Sequence, residues 1–313
     1  PVKVVVAFTA GGTTDILARI VAQQLTEKLK QPFVIDNKPG AGGNLGTELV
    51  VRSAPDGYTL TTVIAAHSAN PSLYAKMSFD AVNDVVPVAL SGIAPLILVA
   101  NPAFPANTAA ELVATRCGSV ISLGSEADCD AAVAAAKAAP GRITYASGGS
   151  GSPQHMGAAL FAAHTGIDMK HVPYKGASQA ALDVAGGQVD VTFQGIATVA
   201  ALAKASKLRL IGVMTDSRQP EYPDSPTLKE QGIQGFDFST WFALTAPKGT
   251  PKEIQDRLHR EVVKALADPS IKERFAGLGL KRDGTTPAEL TSLVRDQLAR
   301  YGKAIRDNNI TAD

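Results

Sequence analysis

The sequence has few charged residues, few aromatic side chains and almost no cysteine. Of its 313 residues, 19% are charged and 5% are aromatic, and the net charge is only +1. Binding to the phosphates of nucleic acid needs clustered basic side chains, so we expect no nucleic-acid partner. Because 45% of the residues are hydrophobic, packed cores are expected, and this length predicts about two domains.

Long hydrophobic runs without interruption are also missing. The longest uncharged stretch, Val85 to Ala110, contains four prolines, which a plain membrane-spanning helix would not tolerate. We therefore expect no integral membrane protein. The opening residues, Pro1 to Val6, predict a first strand rather than a signal peptide, and this suits a processed exported protein or a cytosolic one.

The short motifs of nucleotide, metal and serine-hydrolase sites are absent. There is no Walker-type Gly-Lys-Ser/Thr, no His-Glu-x-x-His, no Cys-x-x-Cys and no Gly-x-Ser-x-Gly. Gly40 to Gly46 approaches the dinucleotide fingerprint, but Leu45 stands where a small residue is required. We therefore predict neither a metal site nor a cofactor. The two cysteines, Cys117 and Cys129, permit a disulfide or two reduced thiols.

Strand-like and helical segments alternate along the chain. Leu17, Val21, Leu25 and Leu29 recur every four residues and predict a helix with one buried stripe. The sequences that begin at Thr108, Thr250 and Thr286 each place Glu three residues after Thr, which is a helix-start signature. This order of elements predicts an α/β protein with parallel strands and two lobes. The predicted strands are Lys3–Phe8, Phe33–Ile35, Tyr58–Ala65, Ile143–Ala146, Val189–Phe193 and Leu208–Met214.

Loops of small residues follow the predicted strands and open helices. They are Thr9 to Thr14, Gly40 to Asn44 and Ser147 to Ser152. Ligands of open α/β sheets bind beyond the carboxyl ends of the strands, and unpaired amides at helix N-termini favour an anion. Glycines let the backbone approach such a ligand closely. Together the loops predict a carboxylate site that needs no basic side chain.

An enzyme is the alternative from a different class. His67 and His155 lie beside the candidate loops and could act as a general base, and a dispersed Ser-His-Asp set is recognised only by geometry. A third hypothesis is a ligand-sensing partner of a signalling protein.

Many motifs in one order resemble the Bug (TctC-like) receptors, the extracytoplasmic solute-binding proteins of tripartite tricarboxylate transporters. The resemblance spans essentially the whole chain. It is carried by the segments Val6–Arg19, Asp36–Gly46, Ala54–Leu60, Asn70–Tyr74, Tyr145–Ser152, His171–Gly176, Gly186–Asp190, Trp241–Pro251 and Ala265–Pro269.

The resemblance implies a periplasmic-binding-protein fold (type II-like). Two α/β lobes would be joined by two crossing strands, near Leu96–Val99 and Trp241–Leu244, with the ligand cleft between them. Lobe one would comprise residues 1–98 and 242–313, and lobe two residues 99–241.

The same resemblance implies a periplasmic receptor, not an enzyme, that binds a small organic carboxylate and passes it to the transporter's membrane subunits. We expect a monomer. The ligand-binding residues implied in lobe one are Phe8, Thr9, Ala10, Gly11, Gly12, Thr13, Thr14, Asp15, Asn44, Ala66, His67 and Ser68. Those implied in lobe two are Ser147, Gly148, Gly149, Ser150, Gly151, Tyr174, Phe193 and Gln194.

Two departures from the family pattern bear on function. The segment from Cys117 to Cys129 looks inserted, and an exported setting favours a disulfide between these cysteines. Phe193-Gln194 stands where many relatives carry an acid, so a dicarboxylate or an aromatic carboxylate becomes the expected ligand.

Overall fold

A computed structural model of the protein describes residues 1–114, 143–234, 236–281 and 285–312. The predicted disulfide between Cys117 and Cys129 lies outside the described residues.

The first part of the chain builds a sheet in which neighbouring strands are joined by helices. Its elements are β1 (Val2–Val6), α1 (Thr13–Leu29), β2 (Phe33–Asn37), α2 (Asn44–Val51), β3 (Thr59–Ile64) and α3 (Ala66–Leu73). β1 lies between β2 and β3 and is parallel to both, as the alternation of elements predicted. The predicted stripe on α1 is buried at Leu17, Val21 and Leu25, and Lys30 ends the helix in the left-handed conformation.

A long strand, β4 (Val85–Ala100), connects this sheet to a second one. From Val85 to Pro95 it pairs with β9 (Ser239–Pro247), and β9 in turn pairs with β3. From Leu96 to Ala100 it pairs with β7 (Val191–Gly195) and β8 (Arg209–Val213). All these pairings of β4 and β9 are antiparallel, which the sequence did not predict.

The second sheet repeats the parallel arrangement, because β5 (Ile143–Ser147) lies between β6 (Met169–Pro173) and β7 and is parallel to both. We call the part of the chain on the first sheet lobe one and the part on the second sheet lobe two. The division at residues 98 and 242 stays a prediction. The remaining elements of lobe two are α4 (Ala109–Ala114), α5 (Pro153–Thr165), α6 (Ala177–Ala185) and α7 (Ile196–Lys204).

The C-terminal part is helical and contains α8 (Lys252–Ala267), α9 (Pro269–Ala276) and α10 (Pro287–Asp307). The predicted start at Thr286 is confirmed, since its hydroxyl accepts from Glu289 N and Glu289 bonds back to Thr286 N. The start predicted at Thr250 is wrong by one residue. Thr250 donates its hydroxyl to Pro247 O instead, and Pro251 caps α8 without a side-chain bond.

One hydrophobic cluster runs through both lobes. It joins Leu96 and Phe193 of the second sheet to Trp241 of β9 and Tyr301 of α10. The lobes therefore share a continuous core. Among the described helices, none has both the length and the apolar character needed to cross a membrane.

Candidate functional site

Loops from both lobes meet at the carboxyl ends of the parallel strands. Thr9 Oγ1 lies 3.1 Å from Ser178 Oγ, which also donates to Ala10 O at 2.8 Å. Thr13 N donates to Thr198 Oγ1 at 2.9 Å, and the two threonine hydroxyls lie 2.8 Å apart. Ser178 and Thr198 belong to the first turns of α6 and α7. The helix N-termini of the two lobes therefore face one another.

Ser178, Thr198 and Gly176 were missed as site residues by the sequence analysis. A Cβ added to Gly176 would lie 1.7 Å from Thr9 Oγ1, so the loop after β6 touches lobe one directly. The signal was present, because these small residues also follow strands and open helices. Applying the strand-end rule to β6 and β7 would have found them.

The N-terminus of α1 is a potential anion site. No side chain caps this 17-residue helix, whose N-cap residue is Gly12. Neither Gly12 N nor Thr14 N donates to an acceptor within the described residues. Unpaired amides at the positive end of a helix dipole attract a negative group.

Asp15 holds the first loop in shape rather than facing a ligand. Its side chain accepts from Gly11 N at 3.0 Å, from Arg19 Nε at 2.9 Å and from Asn37 Nδ2 at 3.0 Å. Burial raises the pKa of Asp15, but the bonds from Arg19, Gly11 and Asn37 outweigh it, and the net pKa is lowered. The carboxylate is therefore charged and fully engaged.

The second loop contacts the third across the cleft. Asn70 Nδ2 donates to Gly42 O at 3.0 Å and to Asn44 Oδ1 at 2.8 Å. A Cβ on Gly42 would lie 2.4 Å from Ser150 O, to which Tyr74 donates its hydroxyl at 3.3 Å. The structure therefore brings Asn44 and Ser150 to the same region, as predicted, and adds Asn70.

A small cavity lies below these loops. Its volume is about 10 Å³, which is about the space that one water occupies. This cavity by itself is too small to hold a dicarboxylate. Among the residues that line the cavity are Phe8, Gly42, Asn44, Ala66, His67 and Asn70.

His67 is buried and turned towards its own lobe. Its Nε2 lies 2.6 Å from Ala81 O, and since a carbonyl only accepts, Nε2 carries the proton. Burial lowers the pKa of His67 to about 4, although the bond to Ala81 and the charge of Asp80 oppose the shift. Its neighbours Ala66 and Ser68 are also buried, and Ser68 donates its hydroxyl to Val294 O at 3.3 Å.

This burial predicts a pH dependence of stability. Above pH 6.5, His67 is neutral in the folded and unfolded states, and below it only the unfolded chain takes up the proton. We expect its contribution to lower the free energy of unfolding by about 2–3 kcal/mol between pH 7.5 and pH 4.5. Urea unfolding at both pH values measures the loss.

His67→Gln is the control, since an amide can donate to Ala81 O but does not titrate. Between pH 7.5 and pH 4.5, the free energy of unfolding of this variant should fall by about 2–3 kcal/mol less than that of the wild type, because residue 67 no longer titrates. Equal losses in both proteins would contradict the buried, neutral histidine.

In the third loop, the amides of Gly149 and Gly151 are paired within lobe two. Ser147 Oγ lies 2.6 Å from His171 Nε2 and accepts from Gly149 N, while Gly151 N donates to His155 Nδ1 at 3.0 Å. The rings of His155 and His171 stack with centroids 4.2 Å apart. His155 therefore supports the loop. Gly148 packs against the start of α6, where its added Cβ would lie 3.2 Å from Ala177 N.

Of the remaining residues predicted in lobe two, Phe193 lies in the core, Gln194 lies at the start of α6 and Tyr174 is bonded to Asp183. Phe193 is fully buried and packs on Phe161 with ring centroids 5.4 Å apart, so the structure does not bring it to the loops. Gln194 donates to Ala177 O at 3.2 Å, at the start of α6. Tyr174 donates its hydroxyl to Asp183 at 2.7 Å, and burial with this partner raises its pKa to about 12.

Within the described residues, no group of three or more His, Cys, Asp or Glu is placed to hold a metal ion. Of the two histidines considered as bases, His67 is bonded to Ala81 and His155 to Gly151.

Comparison with known families and structures identifies the class of protein. The model of the family described as tripartite tricarboxylate transporter family receptor (TctC) matches residues 17–127 and 125–310. The solved structure of the periplasmic binding protein BugD superposes with a TM-score of 0.88 at 30% identity, covering 100% of this chain and 99% of BugD.

Two further similar structures were solved with carboxylates. R. palustris Rpa4515 with adipate has a TM-score of 0.89 at 30% identity and covers 99% of this chain and 97% of its own. MatC from Rhodopseudomonas palustris with bound malate has a TM-score of 0.86 at 29% identity, with coverages of 97% and 98%. The predicted periplasmic-binding-protein fold is confirmed, and the family is one of solute-binding receptors rather than enzymes. This chain belongs to the TctC family of tripartite tricarboxylate transporter receptors.

Proposed function

We propose that this chain is a periplasmic receptor that captures a small organic dicarboxylate or aromatic carboxylate and delivers it to the membrane subunits of a tripartite tricarboxylate-type transporter. The observation that carries the proposal is the uncapped N-terminus of α1, where Gly12 and Thr14 donate to no acceptor within the described residues and Thr13 N reaches Thr198 of lobe two. The similar proteins solved with adipate and malate support the ligand class.

One carboxylate of the ligand would bind at the start of α1. The Gly12 and Thr14 amides would donate to its oxygens, and the helix dipole would stabilise its charge by up to about 2 kcal/mol. Arg19, which could otherwise neutralise the ligand, is already paired with Asp15. The site would therefore recognise the acid through the backbone.

The far end of the ligand would face lobe two, near the Ser147–Gly151 loop and Gln194. Gln194 is neutral, so it would not repel a second carboxylate as an acidic residue would. This is why we favour a ligand with a second charge or a polarisable ring at that end.

Binding would be coupled to a hinge motion. The ligand would enter with the lobes apart, and the contacts of Thr9 with Ser178 and of Thr13 with Thr198 would form as they close. A ligand that touches both lobes binds the closed form more tightly and therefore shifts the population towards it.

An organic acid should raise the melting temperature of the purified protein. At a concentration roughly 100 times its Kd, a ligand specific for the folded state adds about 2.7 kcal/mol of stability, which gives a shift of several degrees. The panel contains succinate, glutarate, adipate, malate and benzoate, with glucose and putrescine as neutral and cationic controls. Titration calorimetry then gives the Kd of each acid that shifts the melting temperature.

A shift produced by glucose or putrescine and by none of the acids would overturn the proposed ligand class. The released ligand, recovered unchanged by mass spectrometry, would separate a receptor from an enzyme.

The same proposal locates the chain in the periplasm as a monomer. Cell fractionation and the mass in solution test these two points. In that compartment Cys117 and Cys129 would form the predicted disulfide, which peptide mapping without reductant would detect.

A further inference from the structure

Asn70 carries an acceptor that has no partner in the closed cleft. The residue is 1% exposed, and its Nδ2 donates to Gly42 O and Asn44 Oδ1. Because Gly42 O can only accept, these bonds fix the amide with Nδ2 towards the second loop. Asn70 Oδ1, on the other side, is buried and has no hydrogen-bond donor within the described residues.

The unpaired oxygen lies where the two lobes meet. A Cβ added to Gly42 of lobe one would lie 3.2 Å from Asn70 Oδ1. A Cβ added to Gly151 of lobe two would lie 2.2 Å from the same oxygen. Both neighbours are glycines with positive φ, so neither places a side chain of its own against this oxygen. Asn70 also lines the cavity together with Phe8 and Ala66, which follow β1 and β3.

We propose that Asn70 Oδ1 accepts a hydrogen bond from a hydroxyl group of the bound acid, so that the receptor selects hydroxycarboxylates. This inference rests on the proposed function and names the ligand class of the same site. An amide oxygen cannot pair with a carboxylate oxygen or a methylene group. A hydroxyl beside the carboxylate held at α1 supplies the missing donor.

The energetic reason is the cost of an unpaired acceptor. When an acid without a donor displaces water from Asn70 Oδ1, the oxygen gains nothing in return. Sites built to hydrogen-bond a substrate hydroxyl reject analogues that lack it far more strongly than apolar pockets reject a missing methylene.

A hydroxyl fits better than an ammonium group. A buried ammonium needs a charged partner. Among the described residues, no acidic side chain lines the cavity beside Asn70. Asp15, at the start of α1, already accepts from Gly11, Arg19 and Asn37. A neutral donor therefore suits the charge of the cleft.

Matched pairs of acids test the inference in the full chain. Titration calorimetry compares malate with succinate and 2-hydroxyglutarate with glutarate. In the wild type, the hydroxylated member of at least one pair should bind at least about ten times more tightly than the member without the hydroxyl. In Asn70→Ala the ratio within that pair should fall to near one, because the acceptor is gone.

Asn101→Ala is the matched control. The Asn101 amide is fully paired inside lobe two, donating to Val184 O and Ala185 O and accepting from Ala103 N. Its loss should leave the ratio within each pair unchanged, whatever it does to stability. The wild-type ratio stands even if Asn70→Ala does not fold.

The outcomes separate the two proposals. If panel acids bind but the hydroxylated and plain members bind equally, the role of Asn70 is overturned and the carboxylate receptor stands. Aspartate binding more tightly than malate, or binding confined to acids without a hydroxyl, would also overturn it. Failure of every acid would overturn the proposed function itself.

Discussion

Replacing Gly176 with alanine is expected to weaken carboxylate binding about 10- to 100-fold. In the closed structure the new Cβ would lie 1.7 Å from Thr9 Oγ1 and 2.7 Å from Thr9 Cβ. Gly176 has a φ of 178°, which is extended backbone that alanine adopts freely. The clash therefore arises only when lobe two meets lobe one. Titration calorimetry with the tightest-binding acid of the panel measures the loss.

Stability of the ligand-free protein separates a closure defect from a folding defect. Gly176 is the N-cap of α6, and alanine is a poorer cap, so urea unfolding should show a loss of no more than about 1 kcal/mol. Gly277→Ala is the matched control. Gly277 follows α9, and a Cβ added to it would lie 3.6 Å from its nearest neighbour, Glu273 O, which is an ordinary contact.

A compensating change tests the clash directly. Thr9→Gly removes the atoms that the new methyl would strike, so the Gly176→Ala/Thr9→Gly protein should regain much of the lost affinity. Unchanged affinity in Gly176→Ala would mean that closure through Thr9 and Gly176 is not part of binding.

The contacts between the lobes explain why closure should depend on a ligand. Thr9 with Ser178, and Thr13 with Thr198, are hydrogen bonds between neutral groups. Each contributes only about 1 kcal/mol net, because water satisfies the same hydroxyls when the lobes are apart. Asn70 Oδ1 gains no partner on closing. A bound acid that touches both lobes would supply the remaining free energy.

Much of this site was predictable because its signals are local. The loops at Thr9–Thr14, Gly40–Asn44 and Ser147–Ser152 follow strands and precede helices or a helical turn, and the parallel pairing places them at sheet edges. Helix starts such as Thr286 with Glu289 depend on residues three apart. Patterns of this range need no knowledge of tertiary structure.

The contacts across the cleft could not be found in this way. Thr9 and Ser178 are 169 residues apart, and Thr13 and Thr198 are 185 apart. No local pattern pairs two hydroxyls over such distances. The antiparallel pairing of β4 with β9 is equally non-local, because it joins Val85–Pro95 to Ser239–Pro247. The orientation of Asn70 depends on a carbonyl in another loop.

Strand geometry could have refined one prediction. Successive side chains on a strand point to opposite faces, so Phe193 and Gln194 could not both face the same ligand. The structure buries Phe193 against Phe161 and directs Gln194 to Ala177. The alternation alone favours Gln194 as the residue nearer the loops.

Asp15→Ala is expected to lower the free energy of unfolding by about 2–3 kcal/mol and to weaken ligand binding. Asp15 is 2% exposed and is the common acceptor of Gly11 N, Arg19 Nε and Asn37 Nδ2. Removing it leaves Gly11 N without its acceptor, takes one of two bonds from Asn37 Nδ2 and releases the loop that precedes α1. Urea unfolding and calorimetry of the same preparation measure both effects.

Asp36→Ala is the matched control, because Asp36 is a part-exposed acid nearby whose pair with Lys38 is worth at most about 1 kcal/mol.

The dependence of the free energy of unfolding on acid pH gives a second readout. The pKa of Asp15 is lowered in the folded state, so its stabilisation is complete above its ordinary pKa and is lost as the pH falls through the folded value. Asp15→Ala should therefore lose less stability than the wild type on acidification below about pH 4. Equal losses on acidification in the two proteins would mean that the Asp15 carboxylate does not stabilise the first loop through its charge.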